Sequence, residues 1–312
     1  MAQRILITEF MDAPAIEQLA ARFDVDYRPE LVDDAAGLEA AVPSADGWIV
    51  RNRTKVRGRV LEAAARVRVI GRLGVGLDNI DVHECERRGI SVIPATGANA
   101  ESVAEYVIAT AMILLRGAYF SSAQVASGRW PREELGRGRE IGGKTLGLVG
   151  FGSIGRATAR KAAALGMKLV AFDPALDAAD PAWSAHGVQP RRLEALLGES
   201  DVVSLHLPLA PETRGLFGAA TLARMKPGAI LVNTARGAIV DEPALATLLR
   251  EGRLGGAALD VYDNEPLEAG TPLEGAPRLI LTPHIAGVTL ESNERVSAVI
   301  AERVAEALSI VP

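Results

Sequence analysis

Three side chains with complementary chemistry each follow a separate short apolar run of the chain: Arg236, Glu265 and His284. The planar guanidinium of arginine can hold a carboxylate by two parallel hydrogen bonds and polarise a neighbouring oxygen. Imidazole titrates near neutral pH and is suited to exchange a proton, and a carboxylate on its second ring nitrogen fixes the tautomer. This set predicts a site that binds a carboxylate and transfers a proton at an adjacent oxygen.

A glycine-rich turn predicts a dinucleotide site. The apolar run 144–149 leads into Gly150-Phe-Gly-Ser-Ile-Gly155, and a helical pattern over 156–165 follows. Glycines allow the tight turn and the close approach of the backbone to a pyrophosphate, which the N–H groups of the helix N-terminus then bind. The next apolar run ends in Asp173, which is suited to accept hydrogen bonds from ribose hydroxyls and repels a 2′-phosphate. The sequence therefore predicts NAD rather than NADP.

Other polar residues also follow apolar runs, where the carboxyl ends of parallel strands form a ligand-binding edge. We expect Asp260 to hold the nicotinamide carboxamide or ring, whereas His206 has the alternative of packing beside the cofactor without chemistry. The cofactor-binding candidates are Gly150, Gly152, Ser153, Ile154, Gly155, Asp173, His206, Pro208, Thr234, Ala235, Asp260 and Gly287. No histidine pair has metal-ligand spacing and Cys85 is the only cysteine, so we expect no metal site and an unreactive thiol.

The elements that must position these residues alternate along the whole chain. Short Val- and Ile-rich runs alternate with Ala-rich segments of helical period, which is typical of parallel sheets with crossover helices. The predicted strands are Arg4–Thr8, Asp24–Tyr27, Asp46–Val50, Val67–Gly71, Ile90–Ile93, Thr145–Val149, Lys168–Phe172, Val202–Leu205, Ala229–Asn233, Gly256–Leu259 and Leu279–Leu281. The predicted helices lie near 13–22, 34–41, 58–65, 81–88, from 99 onward, 156–165 and 291–308. The pattern predicts an α/β protein with two doubly wound parallel-sheet domains.

Composition excludes several classes of protein. The 312 residues are 48% hydrophobic and 23% charged, which is far from the profile of a disordered chain, a coiled coil or collagen. The formal net charge of −5 gives no general attraction to nucleic acid or to an anionic membrane. The N-terminus lacks a secretory signal pattern and no apolar run has the length of a membrane span, so we expect a cytoplasmic protein with no membrane or nucleic-acid partner.

The chain resembles the D-isomer-specific 2-hydroxyacid dehydrogenase family over nearly its whole length. Besides the glycine-rich turn, the motifs that carry the resemblance are Asn233-Thr-Ala-Arg-Gly-Ala-Ile-Val-Asp-Glu242, Leu259-Asp-Val-Tyr-Asp-Asn-Glu-Pro266 and Leu281-Thr-Pro-His-Ile-Ala-Gly287. The resemblance implies NAD as cofactor, a small 2-hydroxy or 2-oxo acid as substrate, and Arg236, Glu265 and His284 as the catalytic set.

The resemblance also implies a domain plan. A flavodoxin-like substrate domain of residues 1–98 and 288–312 would hold a Rossmann NAD-binding domain, residues 99–287, as an insertion. It further implies a homodimer formed through the NAD-binding domain, with the segment 117–143 in the contact.

Substrate-side candidates lie in the first domain. Arg72-Leu-Gly-Val-Gly76 is similar to the family loop in which the N–H groups of Val75 and Gly76 receive the substrate carboxylate, and Asn99 matches a substrate-side asparagine of the phosphoglycerate dehydrogenase branch. Arg51 and Arg53 follow a predicted strand at the expected cleft. With Arg72 they suggest a substrate with a second anionic group, although Arg53 or Arg72 has the alternative of pairing with a neighbouring acid.

The sequence has similarities to more than one branch of the family. The overall pattern is similar to phosphoglycerate dehydrogenases and hydroxypyruvate reductases, whereas the segments 50–54 and 284–295 are similar to (S)-sulfolactate dehydrogenases. Candidate substrate pairs are therefore sulfolactate with sulfopyruvate and 3-phosphoglycerate with 3-phosphohydroxypyruvate; the alternative is reduction of hydroxypyruvate or glyoxylate. A different class is an NAD-sensing, corepressor-like binding protein. The acidic Glu265 disfavours the formate dehydrogenase branch, which has glutamine beside the histidine.

Overall fold

The computed structural model describes residues 2–310, which form two parallel sheets, one of five strands and one of seven. The chain divides into two compact units. The first comprises the chain up to Asn99 and from Val288 onward, and the second comprises Ala100–Gly287.

The first unit contains the five-stranded sheet, in the order β2-β1-β3-β4-β5, which is the flavodoxin-like order. Its strands are β1 (Arg4–Ile7), β2 (Asp24–Tyr27), β3 (Gly47–Val50), β4 (Val69–Arg72) and β5 (Ser91–Pro94). Its helices are α1 (Ala13–Ala20), α2 (Ala35–Ala41), α3 (Gly58–Ala63), α4 (Val82–Arg87) and α13 (Leu290–Ile310). In the register of the central strand, Leu6 lies opposite Asp26 on one side and Trp48 on the other.

Both faces of this sheet are covered, which explains why its central strands are apolar throughout. Ile5 and Ile7 pack with α1 and with Ile300 and Val304 of α13 on one face. Leu6 and Trp48 pack with α2, α3 and α4 on the other. The C-terminal helix thus belongs to the core of the first sheet.

The second unit contains the seven-stranded sheet, in the order β12-β11-β10-β9-β6-β7-β8. Its strands are β6 (Thr145–Val149), β7 (Lys168–Phe172), β8 (Gln189–Pro190), β9 (Val202–Leu205), β10 (Ile230–Asn233), β11 (Gly256–Leu259) and β12 (Leu279–Leu281). Its helices are α5 (Ala100–Arg116), α6 (Ser122–Ala126), α7 (Arg132–Leu135), α8 (Ser153–Ala164), α9 (Pro181–Ala185), α10 (Leu193–Glu199), α11 (Ala219–Ala223) and α12 (Glu242–Arg250). The strand order reverses between β6 and β9, where an open α/β sheet of this kind binds its ligand.

Each strand predicted from the sequence is present, with bounds shifted by at most two residues. The sequence missed β8, because two residues at a sheet edge give no periodic pattern. The helix after the glycine-rich turn begins at Ser153 rather than 156, so the turn itself supplies the first helical residues.

None of the described helices is by itself long and apolar enough to cross a membrane, although the bent pair α5 with residues 118–126 passes on length and composition alone.

Candidate active site

His284 and Glu265 form a hydrogen-bonded pair in the second unit. The Glu265 Oε2 atom lies 2.7 Å from His284 Nδ1, and Glu265 Oε1 accepts a hydrogen bond of 3.1 Å from the Tyr262 N–H. An ionised carboxylate is an acceptor only, so Glu265 holds a proton on His284 Nδ1. The other ring nitrogen, Nε2, is then the one available to exchange a proton with a substrate. The side chains of both residues are partly exposed. This geometry matches the orienting role predicted for Glu265.

The pKa of Glu265 reflects these neighbours. Burial favours the neutral carboxyl, but the hydrogen bonds from His284 and from the Tyr262 N–H, together with the charge of Arg236, outweigh it. The pKa of Glu265 is therefore lowered. The carboxylate stays ionised beside the imidazole at neutral pH, and Arg236 lies near enough for its charge to act on the same carboxylate.

The loop that carries His284 is held by Asp260. His284 has φ 56°, the left-handed region that a residue with a side chain seldom occupies. Asp260 is buried at the end of β11, and its carboxylate accepts hydrogen bonds from Ile285 N (2.8 Å) and Ala286 N (2.8 Å). Thr282 Oγ1 donates a third, of 2.6 Å. Asp260 therefore positions the His284 loop, and its contact with the nicotinamide stays a prediction.

Helix α5 is tied to the same loop. The Tyr106 hydroxyl lies 2.7 Å from Thr282 Oγ1, which in turn donates to Asp260, so a chain of hydrogen bonds runs from α5 to the His284 loop. Tyr262 adds a second tie, because its hydroxyl donates to the Thr282 carbonyl at 2.9 Å. These hydrogen bonds hold the His284 loop in one conformation before substrate binds. Less conformational entropy is then lost when the reacting groups are brought together.

Arg236 follows β10 on a turn that the Asn233 side chain stabilises by two hydrogen bonds. Fully buried Asn233 donates from Nδ2 to the Arg236 carbonyl at 2.9 Å and accepts from Ala235 N at 3.0 Å. Gly237 is then packed so closely that a Cβ atom would lie 1.8 Å from the Tyr262 carbonyl carbon. This contact brings the turn of Arg236 against the segment that ends in Glu265.

The glycine-rich turn has the geometry needed for a pyrophosphate. The first backbone N–H of α8 that donates within the helix is that of Arg156, so the preceding N–H groups of Ser153, Ile154 and Gly155 point out of the helix N-terminus. A Cβ atom on Gly155 would lie 2.5 Å from the Gly150 carbonyl oxygen, so only glycine permits this approach of helix and strand.

Asp173 lies beside this turn at the end of β7. Its carboxylate accepts hydrogen bonds from Phe151 N (2.7 Å) and Ala175 N (2.9 Å), which fix its direction and leave further lone pairs for a ribose. The residues present therefore fit an adenine dinucleotide.

Buried polar atoms without a protein partner lie just after β9 and β10. Within residues 2–310, both ring nitrogens of His206 and the hydroxyl of Thr234 are buried with no hydrogen-bond partner. Burial lowers the pKa of His206 to about 3, so this imidazole is neutral. Unpaired buried polar groups are costly, and a bound cofactor is one way to satisfy them. Of the remaining cofactor candidates, Pro208 and Ala235 lie on these two segments, whereas Gly287 lies on the loop that carries His284.

In the first unit, a buried carboxylate organises the loop after β3. Glu9 accepts hydrogen bonds from the backbone N–H groups of Arg51 (2.8 Å), Arg53 (3.1 Å) and Thr54 (2.9 Å). Asn79 Nδ2 donates to the carbonyls of Arg51 and Thr54. The backbone of this loop of two arginines is therefore held by the side chains of Glu9 and Asn79.

The side chains of this loop differ in their partners. Arg51 donates from Nη2 to Asn293 Oδ1 at 2.7 Å, whereas Arg53 forms an exposed ion pair with Asp33. The alternative that Arg53 pairs with a neighbouring acid is thus what the structure shows. Arg72 Nη1 donates to the Leu73 carbonyl.

The predicted carboxylate loop and Asn99 are also suited to a ligand. In the part of the chain that the structure describes, the N–H groups of Val75 and Gly76 donate to no protein acceptor. The Oδ1 atom of Asn99 is buried without a partner, so the side chain does not cap α5.

Sequence reasoning missed Glu9, Asn293, Tyr106 and Thr282. A polar residue directly after β1 was the available signal for Glu9, whereas Asn293 and Tyr106 lie within helical patterns that give none. Cys85 is fully buried and burial raises its pKa to about 11, which confirms an unreactive thiol. Among residues 2–310, no three His, Cys, Asp or Glu side chains cluster as metal ligands would.

Fold and site together define the class of protein. The second unit has a doubly wound sheet with a glycine-rich turn where the strand order reverses. An acidic residue follows the next strand, and a histidine–carboxylate pair lies further along the chain. These features together are typical of a nicotinamide-dependent oxidoreductase.

Comparison with known proteins identifies the family. Residues 108–286 match the family model described as "D-isomer specific 2-hydroxyacid dehydrogenase, NAD binding domain". The chain is 51% identical over 306 residues to an (S)-sulfolactate dehydrogenase of Chromohalobacter salexigens, with 98% of each chain covered. It is 36% identical to a hydroxypyruvate reductase of Thermotoga maritima, over 98% of this chain and 99% of the relative.

A solved structure extends this likeness to the fold. The D-lactate dehydrogenase of Aquifex aeolicus complexed with NAD and lactic acid matches with a TM-score of 0.85 and 28% identity, over 98% of this chain and 96% of that one. The chain belongs to the D-isomer-specific 2-hydroxyacid dehydrogenases. It is an NAD-dependent oxidoreductase that acts on a small 2-hydroxy or 2-oxo acid.

Proposed function

We propose that the enzyme interconverts a 2-hydroxy acid and a 2-oxo acid that carry a second anionic group, with (S)-sulfolactate and sulfopyruvate as the pair. The observation that carries this proposal is the loop 51–54, in which Glu9 holds the backbone by three hydrogen bonds and the neutral Asn293 side chain orients Arg51. The 51% identity to an (S)-sulfolactate dehydrogenase supports the same pair. The S label is consistent with a D-specific family, because sulfur on C3 outranks the carboxylate and inverts the descriptor.

We assign the catalytic roles as follows. Arg236 binds the substrate carboxylate and polarises the C2 oxygen, because a guanidinium provides parallel donors. His284 gives a proton from Nε2 to that oxygen in reduction and takes it back in oxidation, while Glu265 stabilises the imidazolium through Nδ1. The nicotinamide cofactor, when bound, would supply the hydride to C2 as NADH in reduction and accept it from C2 as NAD⁺ in oxidation. Val75, Gly76 and Asn99 are the remaining substrate-side residues of the proposal.

The same catalytic residues could act on 3-phosphohydroxypyruvate, hydroxypyruvate or glyoxylate. The choice of substrate therefore depends on the protein side chains that contact the substituent on substrate atom C3. The 36% identity to a hydroxypyruvate reductase favours hydroxypyruvate as the second candidate. An NAD-sensing binding protein would not require the His284–Glu265 hydrogen bond of 2.7 Å, and the presence of this pair favours catalysis.

The test is the loss of NADH absorbance with purified protein and each of the four 2-oxo acids in parallel, with NADPH in place of NADH as the cofactor control. We expect the highest kcat/KM with sulfopyruvate and a strong preference for NADH. Equal rates with glyoxylate or hydroxypyruvate would contradict a second anionic group. Binding of NADH without turnover of any of the four would favour the sensor.

We also propose that the enzyme is a homodimer formed through the segment 117–143. In support, this segment has four large apolar side chains that are exposed in the single chain: Tyr119, Phe120, Val125 and Trp130. Isolated large apolar side chains are common on surfaces, but a group of them within one short segment is typical of an interface. Light scattering should give twice the chain mass, and a monomer at micromolar concentration would contradict this proposal.

The proposed location is the cytoplasm, with no nucleic-acid or membrane partner. The net charge of −5 and the single buried thiol are consistent with this proposal. Recovery of the protein in the membrane fraction of lysed cells would contradict it.

A further inference from the structure

We propose that Arg51 is the residue that binds the second anionic group, that Asn293 positions its guanidinium, and that this receptor selects a singly charged sulfonate over a phosphate. The inference rests on the proposed function and assigns the specificity of that site.

Arg51 is held in one direction by neutral neighbours. Its Nη2 donates to Asn293 Oδ1 at 2.7 Å, and its guanidinium carbon lies 5.9 Å from the centre of the Phe10 ring. A hydrogen bond to a neutral amide and a contact with an aromatic face orient a guanidinium without cancelling its charge. The side chain is therefore fixed in position and still fully cationic.

No carboxylate pairs with this cation. Within residues 2–310 the Arg51 guanidinium forms no ion pair, and Asn293 Oδ1 is its one hydrogen-bond acceptor. Glu9 is the acid whose charge acts on it, but the Glu9 carboxylate is occupied by three backbone N–H groups of the loop. Burial lowers the pKa of Arg51, which is the mark of a charge removed from water. A partly buried cation without an acidic partner favours an anionic ligand.

Arg53 differs from Arg51 in each of these respects. It is exposed and forms an ion pair with Asp33, so its charge is already balanced in solvent. Exposed pairs of this kind contribute little to binding or stability. Of the two arginines on the loop, Arg51 is therefore the receptor.

The charge balance favours sulfonate. One guanidinium oriented by a neutral amide matches one negative charge, and a sulfonate carries one at any pH at which the enzyme works. A phosphate monoester carries about 1.5 to 2 negative charges at pH 7, so part of its charge would have no positive partner in Arg51. The two segments whose sequences resemble (S)-sulfolactate dehydrogenases, 50–54 and 284–295, meet in this hydrogen bond of Arg51 and Asn293.

The experiment measures a ratio: kcat/KM for sulfopyruvate divided by kcat/KM for hydroxypyruvate, which has a hydroxyl in place of the sulfonate. Arg51→Ala should lower this ratio by about 10- to 100-fold, the range expected for hydrogen bonds to a charged group. Asn293→Ala should lower it by about 3- to 10-fold, chiefly through KM, because the guanidinium loses its orientation. Arg87→Ala is the matched control, because Arg87 is an exposed, ion-paired arginine on α4 of the same unit.

Asn293→Asp separates positioning from a structural role. The new side chain has the same size but introduces a carboxylate 2.7 Å from Arg51, so it should pair with the guanidinium and lower the ratio at least as much as Asn293→Ala. A residue needed only for folding would tolerate this isosteric change or would lower both kcat/KM values together, leaving the ratio constant.

The outcomes distinguish this inference from the proposed function. If the wild-type enzyme does not prefer sulfopyruvate to hydroxypyruvate, the proposed function fails. If it does, but the ratio stays constant in the Arg51 and Asn293 variants or falls further in Arg53→Ala, the assignment of Arg51 is overturned alone. A higher wild-type kcat/KM for 3-phosphohydroxypyruvate than for sulfopyruvate would overturn both the charge argument and the proposed sulfolactate pair.

Discussion

Replacement of Asp260 by asparagine should cost both stability and turnover. The Asp260 carboxylate accepts hydrogen bonds from Thr282, Ile285 and Ala286. In Asp260→Asn an amide NH₂ group replaces one carboxylate oxygen. If it replaces Oδ2, the NH₂ group faces the Ala286 N–H, so two hydrogen-bond donors face each other. The change removes one hydrogen bond to a charged acceptor, orphans a buried N–H and weakens the other two bonds. We expect a loss of about 2–4 kcal/mol in the free energy of unfolding.

The same change should displace His284, because these bonds hold its left-handed backbone in place. A misplacement of about 1 Å at a reacting group lowers the rate by about 100-fold. The assay is steady-state NADH oxidation beside a denaturant titration, for the wild type and the variant.

Asp201→Asn provides the matched control. Asp201 is also a buried carboxylate of the second unit, and it accepts from Thr145 N (3.0 Å) and Lys226 Nζ (2.8 Å) at the start of β6, away from the carboxyl ends of the strands. Its replacement should lower stability but leave kcat within about twofold. Normal turnover in Asp260→Asn, with a loss of stability equal to that of Asp201→Asn, would refute the positioning role.

Three further predictions concern the cofactor turn, the carboxylate anchor and the histidine–carboxylate pair. Gly155→Ala should raise the Kd for NADH at least about tenfold, since its Cβ would lie 2.5 Å from the Gly150 carbonyl oxygen; unchanged quenching of protein fluorescence by NADH would contradict this. Arg236→Lys should lower kcat/KM by about 100-fold, because an ammonium lacks the planar pair of donors; near-normal kinetics would move the anchor elsewhere. The pKa of Glu265 is lowered from 4.5 in the folded state, so its stabilising effect is present above pH 4.5 and is lost as the pH falls through the folded pKa. The difference in Tm between wild type and Glu265→Gln should therefore vanish in acid, and a difference that grew below pH 4 would contradict the sign.

The parallel sheets and the ends of their strands could be predicted from the sequence. Buried parallel strands such as 202–205 and 230–233 are continuous apolar runs, and the polar residues after them stand out by contrast. This contrast is what predicts Arg236, Glu265 and His284 as the catalytic set, because each lies beyond the end of a strand. The hydrogen bond between His284 and Glu265 was also expected, since few other roles suit an acid near a histidine at such an edge.

The residues that hold the site could not be predicted in the same way. Asn293 and Tyr106 act across long stretches of chain, and the contact of each depends on how a helix is rotated against its sheet. The role of Asp260 in holding the His284 loop could not be predicted either, because the sequence shows an acid after a strand and not the three donors that surround it. Arg51 and Arg53 look equivalent in the sequence, and their difference arises from Asp33 and Asn293, which lie far from them in the chain.

The most direct test of the account is the turnover of His284→Ala with NADH and sulfopyruvate. Because His284 supplies the proton while the glycine-rich turn holds the cofactor, kcat should fall by about 100- to 10,000-fold with the Kd for NADH within about twofold of the wild type. Turnover at the wild-type rate would contradict the assignment of His284 as the acid and base, and with it the reaction proposed for this site.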